Sequence, residues 1–411
     1  MTGCYTSIMA SAKVPITLFR PGAGGLPPYL AGRDRELAKM KPLRESLRDG
    51  TTPSRDIVLY GPRGNGKTVL MKEFLRRAIR KDKGIPNLQV IRLTPNQIRD
   101  LPALCRHLVL ERPGRKLLDR IKSIRQVDLK LTETGMPGMA ITFETPAETR
   151  LLPEILRDRA RAGPTAIAVD EAHTLDREVG RELLNLAQIL RDEKECPVLL
   201  MLAGTPGLRT RLGAMNATFW DRCRKIPVPL LNDSDAAAAL THPLEQYGVK
   251  FDDEALREVV SESNGYPFFV QLWGAALTQD APLGERVTKS CVHKARPDFE
   301  EEKNAYYAER YGELKRRGVL EAAERVAPLF IGTDSRIDED AILSAMEART
   351  RERAPGGAGG RLDGHLDALD HLVQLGYIWG DAAEGYLVGI PSLMDYVESR
   401  ARVSRVTNRL T

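Results

Sequence analysis

The segment that most restricts how this chain can fold is residues 61–68, which read GPRGNGKT. This segment matches the pattern G-x-x-x-x-G-K-[ST] of a phosphate-binding P-loop. The apolar run IVLY at residues 57–60 precedes it, and a helical pattern follows from residue 66 to about residue 80. A short strand, a glycine-rich turn and a helix in this order predict an α/β fold of the P-loop type.

The residue types of this turn indicate its chemistry. Glycines let the backbone curl so that successive N–H groups point at phosphates, and the helix that follows presents the positive end of its dipole. We predict that Lys67 reaches the β- and γ-phosphates of ATP and that the Thr68 hydroxyl coordinates Mg²⁺. The residues predicted to contact the nucleotide are Gly61, Pro62, Arg63, Gly64, Asn65, Gly66, Lys67, Thr68 and Val69. An incidental glycine-rich turn is the alternative, and both flanks disfavour it.

An acidic pair at the end of another apolar strand supplies the second half of the predicted site. Residues 166–171 read AIAVDE. We expect Asp170 to hold magnesium through water and Glu171 to polarise the attacking water. A buried strand that simply ends in a solvated acidic pair is the alternative, and the P-loop upstream favours the functional interpretation. His173 follows; it either senses the nucleotide or bonds locally, and we favour the local bond.

A further polar side chain stands at the end of the strand pattern that begins at residue 198. Residues 198–206 read VLLMLAGTP, so Thr205 follows the apolar run. Polar groups at the carboxyl ends of strands lie in the ligand crevice of an open α/β sheet. Thr205 is therefore predicted to contact the γ-phosphate or the attacking water. Capping the following helix is an equally good interpretation of the same residue.

Strand and helix patterns alternate between residues 55 and 230, which predicts parallel strands covered by helices on both faces. Five strands are predicted, at residues 57–60, 88–93, 166–170, 198–202 and 225–228, and the clearest helix covers residues 177–191. Residues 127–143 differ, because their apolar side chains alternate about the sequence GMPG at residues 135–138. That alternation predicts a β-hairpin inserted between the second and third strands.

The 411 residues are enough for two or three domains, and we divide them into four stretches. Residues 1–29 form an N-terminal arm that ends in glycine and proline, and residues 30–231 form the ATPase core. Residues 232–300 form a helical lid, with helices after Asp233, from residue 252 to about 262, and after Pro267. Residues 301–411 begin with a long charged helix. Helical patterns near 317–329, 338–349 and 362–375, the last after a glycine-rich break at 355–360, then precede strands at 377–379 and 386–388, which suggests a winged helix.

Composition limits the location and the partners of the chain. No apolar run reaches the roughly 18 residues of a membrane span, and the first residues lack the pattern of a secretion signal. The five cysteines are scattered and form no CxxC pair. We therefore expect a cytoplasmic protein with no membrane partner. The net charge of +5 permits a polyanionic partner such as DNA without requiring one.

In the order of these motifs the chain resembles the AAA+ ATPases, and most of all their origin-recognition or initiator branch, over about residues 28–280. Residues 30–37, LAGRDREL, are similar to the box that opens these ATPase domains beside the adenine. The resemblance implies a contact of Leu30 with the nucleotide, ATP hydrolysis, and assembly with further copies of the chain or with a partner protein. It also implies an arginine that acts on a neighbouring subunit's γ-phosphate, for which Arg222 is the first candidate and Arg224 the second. A solvated or ion-paired arginine is the alternative.

The lid departs from this family. AAA+ proteins carry an arginine at the start of the third lid helix, whereas residues 264–271 here read NGYPFFVQ. The Gly-Tyr-Pro sequence looks like the Gly-x-Pro motif of the STAND signalling ATPases, which implies that Pro267 packs on the adenine. Pro267 as merely the first residue of a buried helix is the alternative. The departure favours slow hydrolysis or a switch.

Three functions stay open on this evidence. The first is an oligomeric ATPase, and the second is a switch in which ATP or ADP controls docking of the winged helix. The third is a DNA-binding loader or transposition-type ATPase. The candidate recognition helix at residues 361–372 is acidic, through Asp363, Asp367 and Asp370, so docking on protein is at least as good an interpretation as reading DNA.

Overall fold

A computed structural model describes ten ranges of the chain: residues 14–22, 24–80, 84–110, 128–131, 139–142, 145–193, 196–279, 286–333, 335–347 and 359–410. These residues divide into two compact units. The sheet unit comprises Arg35–Gly61 and Leu70–Val228. The helical unit comprises the described parts of Met1–Asp34, Pro62–Val69 and Pro229–Thr411. The predicted limits of the four stretches stay predictions.

Seven strands belong to the sheet unit: β1 Ile57–Tyr60, β2 Gln89–Leu93, β3 Asp128–Leu131, β4 Met139–Thr142, β5 Thr165–Val169, β6 Val198–Gly204 and β7 Arg224–Pro227. Five of them form one sheet in the order β2-β5-β6-β1-β7, and every pair of neighbours in it is parallel. Each residue of β5 and β6 is buried. Strands buried on both faces read as continuous apolar runs, which is how the sequence identified them. The predicted five-stranded parallel sheet is confirmed.

The helices that lie wholly or mostly in the sheet unit are α1 Asp34–Arg48, α2 Lys67–Ala78, α3 Leu101–Leu110, α4 Thr145–Ala162, α5 Arg177–Arg191, α6 Leu208–Met215 and α7 Phe219–Arg222. Helix α5 begins where the Asp176 carboxylate caps it by accepting from the N–H groups of Glu178 and Val179. The predicted hairpin is present as the antiparallel pair β3 and β4. Its outer positions 127 and 143 and its turn at 135–138 lie outside the described residues. Helices α3 and α4, which flank the hairpin, were not predicted.

In the helical unit, three helices follow the predicted lid pattern: α8 Asp233–Glu245, α9 Asp253–Ser263 and α10 Pro267–Gln279. The short strands β8 Lys250–Phe251 and β9 Arg286–Val287 pair in parallel and were not predicted. The next helix, α11 Lys289–Arg316, begins well before residue 301, where the long charged helix was predicted. The predicted boundary after residue 300 therefore falls inside a continuous helix.

The C-terminal part contains α12 Leu320–Phe330, α13 Glu339–Glu347, α14 Gly359–Gln374, β10 Ile378–Asp381, β11 Gly385–Val388 and α15 Leu393–Leu410. Strands β10 and β11 form an antiparallel hairpin, and an antiparallel bridge joins Ile337 to Tyr386 in β11. Three helices followed by a hairpin are the order of a winged helix, as predicted. Helix α14 begins inside the predicted glycine-rich break, and α15 was not predicted.

One apolar core holds the helical unit together, and the N-terminal residues contribute to it. Phe19 is buried against the lid helix α10. A Cβ added at Gly274 would lie 2.3 Å from the Phe19 ring, so the close packing depends on that glycine. Within the described ranges no helix is long and apolar enough to cross a membrane.

Candidate functional site

The carboxyl ends of the parallel strands bring the predicted residues of the sheet unit to one edge. Gly61 follows β1, Asp170 follows β5 and Thr205 follows β6. Because the three strands are parallel neighbours, these ends lie on the same side of the sheet. Gly61 has a φ of 151°, and a Cβ there would lie 2.7 Å from the carbonyl oxygen of Val228. Only glycine fits where the chain leaves β1.

In the helical unit, three backbone carbonyls of residues 62–66 accept hydrogen bonds from side chains. The three bonds are Lys67 Nζ to the Pro62 oxygen at 2.6 Å, Tyr266 Oη to the Arg63 oxygen at 2.8 Å, and Arg33 Nη2 to the Asn65 oxygen at 3.0 Å. In a planar trans peptide the C=O and the next residue's N–H point in opposite directions. The N–H groups of Arg63, Gly64 and Gly66 therefore each point away from the side chain that bonds the carbonyl before it.

Two glycines allow this backbone path. Gly64 has a φ of 77° and Gly66 a φ of 88°, both in the left-handed region where other residues are strained. A Cβ at Gly64 would also lie only 2.0 Å from the Tyr266 hydroxyl oxygen. Backbone conformation therefore favours glycine at both positions, and at Gly64, a variable position of the motif, the packed Tyr266 side chain adds a second requirement.

Arg33 is a contributor to the loop that the sequence did not predict. Its side chain is 4% exposed, and besides the Asn65 carbonyl it donates to the Pro229 oxygen at 2.8 Å. The opening box was expected beside the adenine, whereas its arginine holds the P-loop backbone. The sequence offered one indication of this, because Arg33 lies within the opening box LAGRDREL at residues 30–37.

The remaining P-loop residues lie at the start of α2 and just before it. Asn65 is fully buried and Lys67 is nearly so, while Thr68 and Val69 are half-buried in the first turn of α2, which begins at Lys67. The lysine side chain folds back over residues 62–66, since its ammonium donates to the Pro62 carbonyl. An ammonium has three protons, so this bond leaves the group able to donate to a phosphate as well.

The side chain of Arg63 is directed to a helix that the sequence did not connect with it. Its Nη1 lies 3.2 Å from Oε2 of Glu313 in α11. The same carboxylate accepts from the Tyr377 hydroxyl at 2.7 Å and from Arg310 Nη1 at 3.3 Å. Burial acts to raise the pKa of Glu313, but the Tyr377 hydrogen bond and the two arginine charges outweigh it and hold the pKa below its ordinary value. Glu313 is therefore an anionic partner for the P-loop arginine.

Asp170 and Glu171 form the acidic corner of the sheet edge. Asp170 is half-buried, and its Oδ1 accepts from the N–H of Glu171 at 3.0 Å. Glu171 is exposed and has a left-handed backbone, with a φ of 53°. An exposed carboxylate beside an anchored one is an arrangement that can accept a proton from water while its neighbour binds a cation.

His173 connects Glu171 with Thr205. Its Nδ1 accepts from the Thr205 backbone N–H at 3.4 Å, and its Nε2 lies 3.5 Å from Oε2 of Glu171. A neutral imidazole that accepts at Nδ1 carries its proton at Nε2, facing the carboxylate. These local contacts agree with the interpretation favoured from the sequence.

Thr205 is buried, and within the described part of the chain its Oγ1 has no hydrogen-bond partner. The alternative that Thr205 caps the next helix is wrong, because the N-cap of α6 is Gly207 and no side chain caps it. A buried hydroxyl without a partner costs about 1–3 kcal/mol. Such a group is suited to bonding a ligand oxygen or a water.

The two candidate arginines differ in exposure. Arg222 is exposed at the end of α7, whereas Arg224 is half-buried in β7, where it pairs with Ile57 of β1. An exposed guanidinium is the more accessible of the two to a second molecule. Exposure therefore keeps Arg222 ahead of Arg224 as the candidate for action on a neighbour.

The predicted adenine contacts stay predictions. Leu30 is half-buried before α1, and Pro267 is half-buried as the first residue of α10. Asn264 and Gly265, with φ values of 48° and 63°, make the turn that precedes this helix. Proline is favoured at the first helical position, so its place also has a local explanation.

Comparison with known proteins agrees with this geometry. The family described as AAA ATPase domain matches residues 29–201, from the opening box into β6. The Walker-type ATPase paby2304 of Pyrococcus abyssi superposes with a TM-score of 0.57 at 15% identity, over 90% of this chain and 96% of that one. The Aeropyrum pernix ORC2 protein in its ADPNP–ADP complexes gives 0.54 at 14% identity, over 93% and 98%. Its ADP form gives 0.52 at 14% identity, over 94% and 99%.

At these identities the solved structures establish a common fold and nothing finer. None of the curated protein sequences matches the chain significantly. The shared fold extends over nearly the full length of each chain and so includes the helical unit as well as the sheet.

Proposed function

We propose that this chain, whose residues 29–201 match the AAA ATPase domain family, is an AAA+ P-loop ATPase that binds ATP with Mg²⁺ and hydrolyses it to ADP and phosphate. The observation that carries the proposal is the backbone of residues 62–66. Side chains bond three of its carbonyls, and each bond turns the N–H of the next residue, Arg63, Gly64 or Gly66, away from the bonded side chain. A loop whose N–H groups are fixed in this way before a helix N-terminus suits a polyphosphate.

The phosphates are bound by the P-loop of the helical unit in this proposal. The amides of residues 63–67 donate to phosphate oxygens, and the Lys67 ammonium adds positive charge. The Thr68 hydroxyl and the Asp170 carboxylate are the oxygen donors that the two motifs offer to magnesium, of the kind this ion prefers. In the described ranges no three His, Cys, Asp or Glu side chains cluster for a metal. Waters and phosphate oxygens would therefore complete the coordination, and the ion would neutralise phosphate charge.

Hydrolysis is assigned to the edge of the sheet. Glu171 accepts a proton from the attacking water, and His173 orients its carboxylate. The Thr205 hydroxyl, which is buried without a partner among the described residues, donates to the water or to the γ-phosphate. Arg222, being exposed, stabilises the transferring phosphoryl group of a neighbouring copy. An oligomer, or a partner protein with an equivalent site, is therefore part of the proposal.

A nucleotide-gated switch is the second candidate function, and a specific observation favours it. Arg63 of the P-loop pairs with Glu313 of α11, which precedes the C-terminal helices. The sequence at the start of α10 carries no arginine to couple the lid to hydrolysis. ATP and ADP would then differ in the arrangement of the C-terminal helices that they favour. Binding of duplex DNA is less favoured, since the exposed Asp367 of α14 would repel phosphates.

The test is phosphate release from ATP per protein molecule, measured over a range of protein concentrations. Glu171→Gln serves as the hydrolysis blank and Lys67→Ala as the binding blank. A specific rate that rises with concentration and disappears in Arg222→Ala supports the oligomeric ATPase. A flat, near-zero rate with ATP still bound supports the switch. Failure of the wild-type chain to bind ATP more tightly than Lys67→Ala contradicts both.

A further inference from the structure

We propose that Tyr266 and Glu313 are positioning residues of the P-loop, through which nucleotide binding and the C-terminal helices influence each other. The inference rests on the proposed function, namely that residues 61–68 bind ATP. It adds a route of regulation: the lid and α11 set the conformation of the loop. Two independent contacts carry it, one on the Arg63 carbonyl and one on the Arg63 side chain.

The first contact fixes one peptide plane of the loop. The Tyr266 hydroxyl is 2.8 Å from the Arg63 carbonyl oxygen and 2.9 Å from the Tyr306 hydroxyl. A carbonyl can only accept, so the Tyr266 proton goes to Arg63 and Tyr306 donates to Tyr266. This chain of hydrogen bonds holds the Arg63 carbonyl towards the lid and turns the Gly64 N–H to the opposite side.

Tyr266 itself has little freedom to move. Its side chain is fully buried, its ring meets Phe269 edge-on at 4.8 Å, and Phe268 lies 4.7 Å from the Tyr306 ring. Trp273 of α10 stacks on Phe299 of α11 at 4.2 Å, so the two helices share one aromatic cluster. Densely packed rings shift together, so a change in the peptide at Arg63 would be felt by α11.

The second contact ties the Arg63 side chain to the C-terminal helices. The Glu313 carboxylate accepts hydrogen bonds from Arg63, Arg310 and the Tyr377 hydroxyl, and its side chain is only 13% exposed. Tyr377 lies between α14 and β10, so the carboxylate joins the P-loop to the predicted winged helix. Removing the carboxylate would leave two arginines and a hydroxyl without their common acceptor, at a site with little water.

The link also reaches the last helix of the chain. Tyr307 follows Tyr306 in α11, donates to the Pro391 carbonyl at 2.9 Å and lies 5.4 Å from the Tyr396 ring of α15. Coupling of binding free energies is reciprocal. If the state of these helices changes nucleotide affinity, bound nucleotide must equally stabilise one state of the helices.

The experiment measures dissociation constants for fluorescent methylanthraniloyl-ATP and -ADP in the full-length chain. We expect Tyr266→Phe and Glu313→Gln each to weaken binding roughly three- to tenfold, the worth of one hydrogen bond to a backbone or charged group. Tyr386→Phe, which removes a hydroxyl bonded to Glu339, and Glu254→Gln, which breaks the exposed pair with Lys289, are matched controls expected to bind like wild type.

A second readout separates positioning from a loss of stability. At saturating nucleotide, amide hydrogen exchange of residues 289–316 is expected to slow in the wild type and in the controls, and to respond less in Tyr266→Phe and Glu313→Gln. The double variant of Arg63→Gln and Glu313→Gln should bind nucleotide no more weakly than the weaker-binding single variant, because each single substitution already breaks the same ion pair. Tyr266→Phe keeps the ring and so tests the idea even if Glu313→Gln folds poorly.

The outcomes are distinct. Wild-type affinity in Tyr266→Phe and Glu313→Gln, with an unchanged exchange response of α11, overturns the positioning role and leaves the proposed function intact. Absence of nucleotide binding by the wild-type chain overturns the proposed function itself. Weaker binding with a lost exchange response, in these variants and not in the controls, supports the inference.

Discussion

The imidazole Nε2 of His173 lies 3.5 Å from Oε2 of Glu171, while its Nδ1 accepts from the backbone of Thr205. The His173 ring therefore contacts both the proposed general base and the strand end that carries the Thr205 hydroxyl. Glu171 is exposed, and this contact restricts which direction its carboxylate faces. We therefore expect His173 to orient the proposed base rather than to bind nucleotide.

His173→Ala is predicted to lower kcat for ATP hydrolysis by about ten- to hundredfold, the usual effect of losing an orienting partner. Nucleotide affinity should stay within about twofold, because the imidazole lies on the Glu171 side and the P-loop is untouched. Steady-state kinetics with a parallel ATP-binding measurement checks this. Glu171→Gln, which is expected to lose more activity, gives the background rate for comparison. A weakened affinity with unchanged kcat would instead make His173 a nucleotide contact.

Arg33→Met is predicted to weaken ATP binding by about ten- to hundredfold. The substitution removes charge-assisted bonds to the Asn65 and Pro229 carbonyls, each worth roughly 1.5–3 kcal/mol, and frees the peptide that orients the Gly66 N–H. Titration calorimetry with ADP measures the effect. Arg286→Met, at an exposed arginine paired with Asp252, is the matched control and should bind normally. Equal affinities in the two variants would remove Arg33 from the site.

Gly64→Ala is predicted to abolish measurable nucleotide binding. Its Cβ would lie 2.0 Å from the Tyr266 hydroxyl, and its φ of 77° costs a further ~1 kcal/mol in any residue with a Cβ. Gly213→Ala in α6 is the matched control, since a Cβ there meets nothing within 4 Å and alanine favours a helix. The control should bind normally and melt at the same or a higher temperature. Tight binding by Gly64→Ala would mean that the loop closes differently around nucleotide.

Asp56→Ala is predicted to destabilise the sheet unit by about 3 kcal/mol, the cost of breaking a buried ion pair. The Asp56 carboxylate is buried, pairs with Arg191 and accepts from the Leu200 N–H at 3.0 Å. Its removal would therefore take away the acceptor of both the Arg191 guanidinium and the Leu200 amide. Burial lowers the pKa of Arg191, in keeping with a charge that depends on its partner. Urea unfolding monitored by Trp fluorescence tests the value. A loss under about 1 kcal/mol would mean that water replaces the carboxylate.

The sequence predicted those elements of the fold whose pattern is contained in a short stretch of neighbouring residues. The strands of the sheet are continuous apolar runs, and α5 has both a capping Asp176 and a regular apolar spacing, so both were predicted closely. The predicted start of helix α11 was too late in the sequence, because Pro297 lies inside the helix and interrupts the helical pattern. Helix α4 contains Pro153 and was missed altogether.

The residues of the candidate site likewise differ in whether neighbouring residues in the chain point to them. The P-loop and the Asp170-Glu171 pair stand in short motifs, so the sequence alone is enough to propose them as site residues. The bond from Arg33 to the Asn65 carbonyl joins residues 32 positions apart, and the pair of Arg63 and Glu313 spans 250 positions. Nothing near either residue in the chain signals such a partner, because tertiary packing alone brings them together.

The pH dependence of the Arg63–Glu313 pair gives the last prediction. The pKa of Glu313 is held below its ordinary value of 4.5, despite burial, by the Tyr377 hydroxyl and two arginines. A carboxyl whose folded pKa is depressed contributes stability that is fully present above its unfolded pKa and is lost as pH falls through the folded one. We therefore expect the difference in unfolding free energy between wild type and Glu313→Gln to be constant from about pH 6 to 8 and to shrink below about pH 4.

Chemical denaturation of both proteins across this pH range measures that difference, with Glu254→Gln as the exposed-pair control. The control should differ little from wild type at any pH, because an exposed pair is screened by water and salt. A difference that instead grew as pH fell would mean that Glu313 is protonated in the folded protein. In that case Arg63 would lack an anionic partner in α11, and regulation of the P-loop through this carboxylate would have no electrostatic basis.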